Sequence, residues 1–144
     1  MSTQYYFRIN IEQGKNLNNL GDIILFSDYP LLNINMSKMD SDSKENIYTI
    51  YHIYCTHVFS IDLYYENIGN PKNDLLKFVE TIMKDYFGDC ILDVNGDIAI
   101  MIRKSRKITF SKSYLNIAGD YFSPEMFGLP YEIGEIEEFG DEDD

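Results

Sequence analysis

The feature that most restricts the fold of this chain is the Asn95-Gly96 dipeptide, which stands between two short apolar segments. A type I′ turn needs positive φ at both central residues, and Asn-Gly tolerates that conformation best. The sequence therefore predicts a β-hairpin with strands at about 90–94 and 97–104. A polar turn at 104–107 and a third strand over 108–113 would extend the hairpin into an antiparallel meander.

The segment before the hairpin has the pattern of an amphipathic helix over about 71–87. Leu75, Val79, Ile82 and Tyr86 recur at the helical period and form one apolar face. Pro71 suits the first turn, and Gly88 is interpreted as a left-handed residue that ends the helix. We expect this face to cover one side of the sheet.

The pattern of side chains in the N-terminal part predicts further strands. Residues 4–11 alternate between apolar and polar side chains, and residues 22–27 form a short apolar run that ends before Tyr29-Pro30. Residues 31–36 are ambiguous between strand and loop. Residues 36–45 are rich in Ser, Asp and Lys, which is typical of an exposed loop.

Residues 45–66 are rich in β-branched and aromatic side chains. A single strand of that length would be about 70 Å long, which is too long for a compact domain. We therefore predict two strands, at about 46–53 and 56–65, joined by a bend or bulge between His52 and His57.

Together these patterns predict one α+β domain over residues 1–139, since 144 residues suffice for one hydrophobic core. Its antiparallel sheet of about five to six strands would pack against one main helix, at about 71–87. Residues 113–139 would form an irregular acidic extension of this domain, and residues 140–144 a disordered acidic tail.

The negative charge of the chain is concentrated at its C-terminal end. The net charge is −12, yet residues 1–112 hold 14 acids and 12 bases, whereas residues 113–144 hold 10 acids and no Lys or Arg. Such a surface repels nucleic acid and attracts a basic partner, although solubility alone would also explain it.

The expected compartment of the protein is inferred from the targeting and membrane-spanning segments that the sequence lacks. There is no charged-then-apolar leader, and no apolar run approaches the roughly 20 residues that span a bilayer. Two cysteines do not make a disulfide framework. We expect a cytoplasmic protein with reduced thiols that binds neither membrane nor nucleic acid directly.

His52, Cys55 and His57 form the only local cluster of soft metal ligands. A zinc site needs four ligands, and the sequence contains no second such pair, although Cys90 could join in space. Packing roles are favoured, and a small zinc- or thiol-dependent enzyme is kept as the alternative function. No nucleophile, phosphate-loop or metalloprotease motif is present, so we expect no catalytic residue, no metal site and no cofactor.

Two other clusters have simpler explanations. Asp93, Asn95 and Asp97 have the spacing that opens a calcium loop, but its sixth and twelfth positions hold Ile98 and Lys104. Five bases lie close together in the polar turn after the hairpin and at the end of the strand that follows: Arg103, Lys104, Arg106, Lys107 and Lys112. They are interpreted as a solvated turn; contact with phosphate or with the chain's own acidic tail is the alternative.

The order of elements from Val58 to Ser113 resembles a known family. A strand at 58–63, a helix at 75–83, a hairpin at 89–97 and an apolar strand at 98–103 are similar to small bacterial immunity proteins. These accompany polymorphic toxins, including those of contact-dependent growth inhibition. The Asn95-Gly96-Asp97 turn and its apolar flanks carry most of this likeness, which covers about two fifths of the chain.

The resemblance implies a non-enzymatic inhibitor that binds the toxic C-terminal domain of a delivered effector. Many such toxins are nucleases with basic clefts, and an acidic surface complements a basic cleft. We expect the contacts with the toxin to come from the acidic C-terminal quarter and its aromatic residues. The candidates are Tyr121, Glu132, Glu135, Glu137, Glu138 and Phe139.

Overall fold

The computed structural model describes residues 4–12, 32–63, 71–118 and 124–139. The predicted strand at 22–27, the candidate contact residue Tyr121 and the predicted tail at 140–144 lie outside the described residues.

Seven strands and three helices form the described part of the chain. In order they are β1 (Gln4–Ile9), β2 (Leu32–Lys38), α1 (Ser41–Tyr51), β3 (His57–Leu63), α2 (Pro71–Asp85), β4 (Cys90–Val94), β5 (Ile98–Lys104), β6 (Lys107–Ser111), α3 (Lys112–Ala118), a 3-10 turn (Pro124–Met126) and β7 (Glu132–Gly134). The strand order in the sheet is β2-β3-β1-β4-β5-β6-β7. All neighbouring strands are antiparallel except β6 and β7, which are parallel.

The α+β class is therefore confirmed, but three details of the prediction are wrong. The described sheet has seven strands rather than five to six, and it is mixed rather than antiparallel. The described residues form three helices instead of one main helix, and two of them, α1 and α2, cover opposite faces of the sheet.

The predicted hairpin is confirmed as β4 and β5. Asn95 and Gly96 have φ values of 57° and 81°, as a type I′ turn requires. The Gly96 N–H donates to Asp93 Oδ1 at 3.0 Å, and the Gln4 N–H donates to Asn95 Oδ1 at 3.0 Å. The turn is thus closed by Asp93 and tied to β1, which lies beside β4 in the sheet.

The first apolar layer lies between α2 and one face of the sheet. The predicted helical face is buried, including Leu75, Val79 and Ile82. Phe7 of β1 and Phe59 of β3 oppose it, with ring centroids 6.1 Å apart. The observed helix ends at Asp85, so this element matches its prediction closely.

Gly88, which follows α2, was expected to be left-handed, and that expectation is wrong. Among the described glycines only Gly96 has positive φ. A Cβ at Gly88 would lie 2.2 Å from the backbone oxygen of Asn10. Gly88 is needed because the chain leaving α2 passes directly against the end of β1.

The largest error of the prediction concerns α1 and β2. Residues 36–45 are not a loop, since β2 extends to Lys38 and α1 begins at Ser41. The predicted strand at 46–53 is the C-terminal half of α1. The Asp40 side chain caps the helix by accepting from the Ser43 N–H at 2.8 Å. The helix ends at Tyr51, and the residue that caps it, His52, has the left-handed conformation (φ 58°) and lies in the predicted bend.

Helix α1 builds a second apolar layer on the opposite face of the sheet. Ile47 and Tyr51, one helical turn apart, are buried there with Cys55, Ile91 and Ile102. Because both faces are covered, every residue of the inner strand β4 is buried. The second predicted strand, 56–65, is confirmed as β3 over the residues that the structure describes.

The C-terminal part also departs from its prediction. Strand β6 ends at Ser111, and Lys112 begins α3, so the strand predicted at 108–113 is shorter. The segment 113–139 is not wholly irregular, since it contains most of α3, the 3-10 turn and β7. Of the helices in the described part of the chain, none is long and apolar enough to cross a membrane.

Candidate partner-binding surface

Residues 132–139, here called the acidic segment, lie across the face of the sheet that carries α1. The segment starts as β7, whose residues Glu132 and Gly134 pair with Thr109 and Ser111 of β6. Ile136 then packs against the second apolar layer, and the Phe139 N–H donates to the Ile50 carbonyl of α1 at 2.7 Å. Both ends and the middle of the segment are therefore held by backbone or apolar contacts.

An aromatic stack holds the far end of the acidic segment. The rings of Phe139 and His52 are parallel within 6°, with centroids 3.8 Å apart. His52 also stacks on Tyr48 at 5.6 Å, and Lys104 Nζ lies 5.1 Å from the Phe139 ring centroid. Because Lys104 Nζ donates to the Tyr51 carbonyl at 3.2 Å, the stack links the segment to β5 and to α1.

The acids of the segment differ in their partners. Glu132 pairs with Lys107 at 2.8 Å. Glu135, Glu137 and Glu138 are exposed, and none of them forms an ion pair within the described residues. Three carboxylates on an ordered stretch thus face solvent without a direct ion pair in the described part of the chain, although Lys104 and Lys107 line the same cavity as Glu135 and Glu137.

Asp97 of the hairpin turn adds a fourth carboxylate to this surface. Two cavities of about 240 and 220 Å³ flank the segment, and both are lined by Asp97 and Glu138. Glu135 lines the larger one together with Ser111 and Ser113. The carboxylates border shallow depressions with hydroxyl groups, which suits the cationic side chains of a partner.

A buried ion pair lies close to the same surface. Arg8 and Asp93 form an ion pair between β1 and β4, with both side chains largely buried. Burial raises the pKa of Asp93 to about 6, against the opposing effect of Arg8. Burial, and next the charge of Glu138, raises the pKa of Tyr51 to about 12. Tyr51 is therefore neutral at pH 7 and contributes no charge to the surface.

The structure places the three residues of the alternative enzyme hypothesis in different environments. His52 is exposed at the end of α1, and Cys55 is fully buried in the second layer, where burial raises the pKa of its thiol. His57 is buried on β3, and its Nδ1 lies 2.8 Å from Thr56 Oγ1. Within the described ranges no three His, Cys, Asp or Glu side chains are arranged to hold a metal ion.

Three of the five bases in the cluster at 103–112 have partners within the protein. Arg103 is buried and donates to backbone carbonyls that follow α2, while Lys104 and Lys107 contact Phe139 and Glu132. Arg106 and Lys112 are exposed. Within the cluster, Lys104 and Lys107 thus hold the acidic segment, and Arg103 holds the end of α2.

Five of the six candidate contact residues belong to the acidic segment, and Tyr121 lies outside the described residues. Three further residues of this surface were not predicted from the sequence: Asp97, Tyr48 and Tyr54. They lie on the α1 side of the sheet or in the adjoining turns. The spacing of Ile47, Ile50 and Tyr51, with Asp40 as a cap, is the signal that would have identified α1 and placed Tyr48 on its exposed face.

Comparison of the chain with protein-family models, curated proteins and solved structures finds no match.

Proposed function

We propose that this protein is an immunity protein that binds and neutralises a cognate toxin domain, a nuclease delivered by contact-dependent growth inhibition. The observation that carries the proposal is the set of unpaired carboxylates of Glu135, Glu137 and Glu138 on an anchored segment. The resemblance of residues 58–113 to immunity proteins supplies the class of partner.

An anchored acidic surface suits this function better than a mobile one. Its carboxylates are already in place, so less conformational entropy is lost on binding than with a flexible tail. Unpaired surface charge also accelerates encounter with a basic protein and disfavours acidic competitors. Glu132 contributes less to such a field because Lys107 neutralises it.

A nuclease is the toxin class that fits this charge. Its substrate is a polyanion, so its cleft must be basic, and an acidic protein seated there excludes the substrate without any chemical step. In this mechanism the protein supplies no catalytic residue, metal or cofactor.

The test uses the toxin domain encoded by the gene directly upstream, if a large secreted effector is found there. We expect the triple variant Glu135→Gln, Glu137→Gln, Glu138→Gln to associate at least about tenfold more slowly at low salt. The matched control removes three exposed acids elsewhere, by Glu12→Gln, Asp85→Asn and Glu125→Gln. Association rates are measured by surface plasmon resonance between low and physiological salt.

Equal slowing in both triple variants would mean that only net charge matters, and would remove the segment from the mechanism. Failure of the wild-type protein to bind the neighbouring toxin domain, or to protect cells that express it, would overturn the proposed function itself.

A further inference from the structure

A groove next to the acidic segment is flanked by two exposed tyrosines. It is lined by Ser41, Lys44, Glu45, Tyr48 and Tyr54, and its volume is about 580 Å³. Tyr48 and Tyr54 are 55% and 52% exposed, which is high for such large side chains. We call it the tyrosine groove. Single exposed aromatic side chains are common on protein surfaces. Two that border the same depression resemble the aromatic residues that dominate binding at protein–protein interfaces.

One ring of the groove already receives a cation. Lys44 Nζ lies 5.9 Å from the centroid of the Tyr54 ring, within the range of a cation–π contact. Lys44 is part of the helix that forms one wall, and its long side chain can turn to solvent without any backbone change. The face of Tyr54 is thus accessible to a positively charged group that arrives from outside.

The charges around the groove favour such a group. Lys38 and Lys44 are two bases near the groove, since both act electrostatically on His57. Asp40, Asp42 and Glu45 are exposed at the start of α1. The groove also continues into the acidic segment, since Tyr48 stacks on His52 and His52 stacks on Phe139.

We infer that the tyrosine groove seats an arginine side chain of the basic partner. The guanidinium group lies over the Tyr54 ring in place of Lys44, and Glu45 supplies a carboxylate beside it. A planar, weakly hydrated guanidinium stacks on an aromatic face better than an ammonium group. This inference rests on the proposed function for the partner's charge, and it names the side chain that the surface selects.

The test compares two synthetic peptides of equal charge, blocked at both ends, with four arginines or four lysines in a Gly/Ser background. The full-length protein is titrated with each peptide, and the backbone amide signals of α1 and of residues 53–56 are followed by NMR. We expect the arginine peptide to bind at least about threefold more tightly. Tyr54→Leu and Tyr48→Leu should remove this preference while binding of the lysine peptide changes little.

Two further variants sharpen the comparison. Lys44→Met keeps the apolar stem but frees the Tyr54 ring, so it should strengthen binding of the arginine peptide more than that of the lysine peptide. Phe87→Leu is the control, because Phe87 is 59% exposed but lines a depression beside Lys84 and Arg106. It should leave the arginine preference unchanged.

Equal affinity for the two peptides, or an arginine preference that survives both tyrosine variants, would overturn the groove assignment. Either result would leave the proposed function standing, since that function is tested separately with the acidic-segment variant and the neighbouring toxin domain. Failure of the wild-type protein to bind the neighbouring toxin domain, with the arginine preference intact, would overturn the proposed function alone.

Discussion

Asp93 is a carboxylate whose environment differs sharply from that of a free side chain in water. It is 2% exposed, pairs with Arg8 and accepts the Gly96 N–H that closes the hairpin turn. Burial outweighs these contacts and raises its pKa from 3.8 to about 6. The folded protein therefore holds the Asp93 proton more tightly than the unfolded chain does.

This difference predicts a pH dependence of stability. Asp93 contributes most to stability below pH 3.8, and that contribution is lost as pH rises through the interval from 3.8 to about 6. The loss amounts to about 3 kcal/mol. The free energy of unfolding of the wild-type protein, relative to Asp93→Asn, should fall by about 2 kcal/mol of this total between pH 4 and 6 in urea titrations.

Glu125→Gln is the control for this experiment, because Glu125 is exposed and lies outside the hairpin turn, whereas the charge of Asp97 adds to the effect of burial that raises the pKa of Asp93. Its stability should run parallel to that of the wild type across the same pH range. Parallel curves for Asp93→Asn and the wild type would show that Asp93 keeps an ordinary pKa.

At the scale of elements, the end of α2 depends on a residue from the sheet. The last carbonyls of a helix have no partner within the helix. Arg103 of β5 donates from Nη1 to the Met83 carbonyl at 3.0 Å, and from Nε to the Gly88 carbonyl at 3.0 Å. Its positive charge also lies at the negative end of the helix dipole.

We therefore expect Arg103→Met to lower the free energy of unfolding by about 3 kcal/mol, because several buried carbonyls would lose their donors. Arg106→Met, three residues away and exposed, should change it by less than about 0.5 kcal/mol. Guanidinium denaturation with circular dichroism measures both. Similar values for the two variants would mean that water replaces the Arg103 donors.

At the scale of the whole molecule, the sheet separates two layers of different character. The layer under α2 holds most of the large apolar side chains, whereas the layer under α1 is smaller and is completed by the acidic segment. The proposed contact surface lies over the smaller layer. The shape of this contact surface therefore depends on the acidic segment, which does not belong to the larger layer under α2.

Removal of residues 132–144 tests this division. The truncated protein should still unfold cooperatively, since the α2 layer is intact, but with a free energy of unfolding lower by about 3 kcal/mol for the lost β7 pairing and Ile136 packing. Its salt-dependent binding to the toxin domain should disappear. A truncated protein that does not fold would mean that the segment belongs to the core, and unchanged affinity would remove it from binding.

Local patterns explain which elements were predicted correctly. The helical period of Leu75, Val79 and Ile82 and the Asn95-Gly96 turn depend on neighbouring residues alone, so α2 and the β4–β5 hairpin follow from the sequence. The excess of acids after residue 112 is equally a property of the sequence. These features determined the α+β class and the region of the candidate surface.

Tertiary contacts decided the rest. Residues 47–51 have the composition of a strand, but burial of Ile47 and Tyr51 against Ile91 and Ile102 stabilises them as a helix. Strand β7 forms only because β6 offers a free edge, and Phe139 finds its place only because α1 presents His52 and the Ile50 carbonyl. The sequence alone thus determined how much negative charge the chain carries and where along it, whereas the packing of distant segments decided that the glutamates of the acidic segment are held beside two exposed tyrosines.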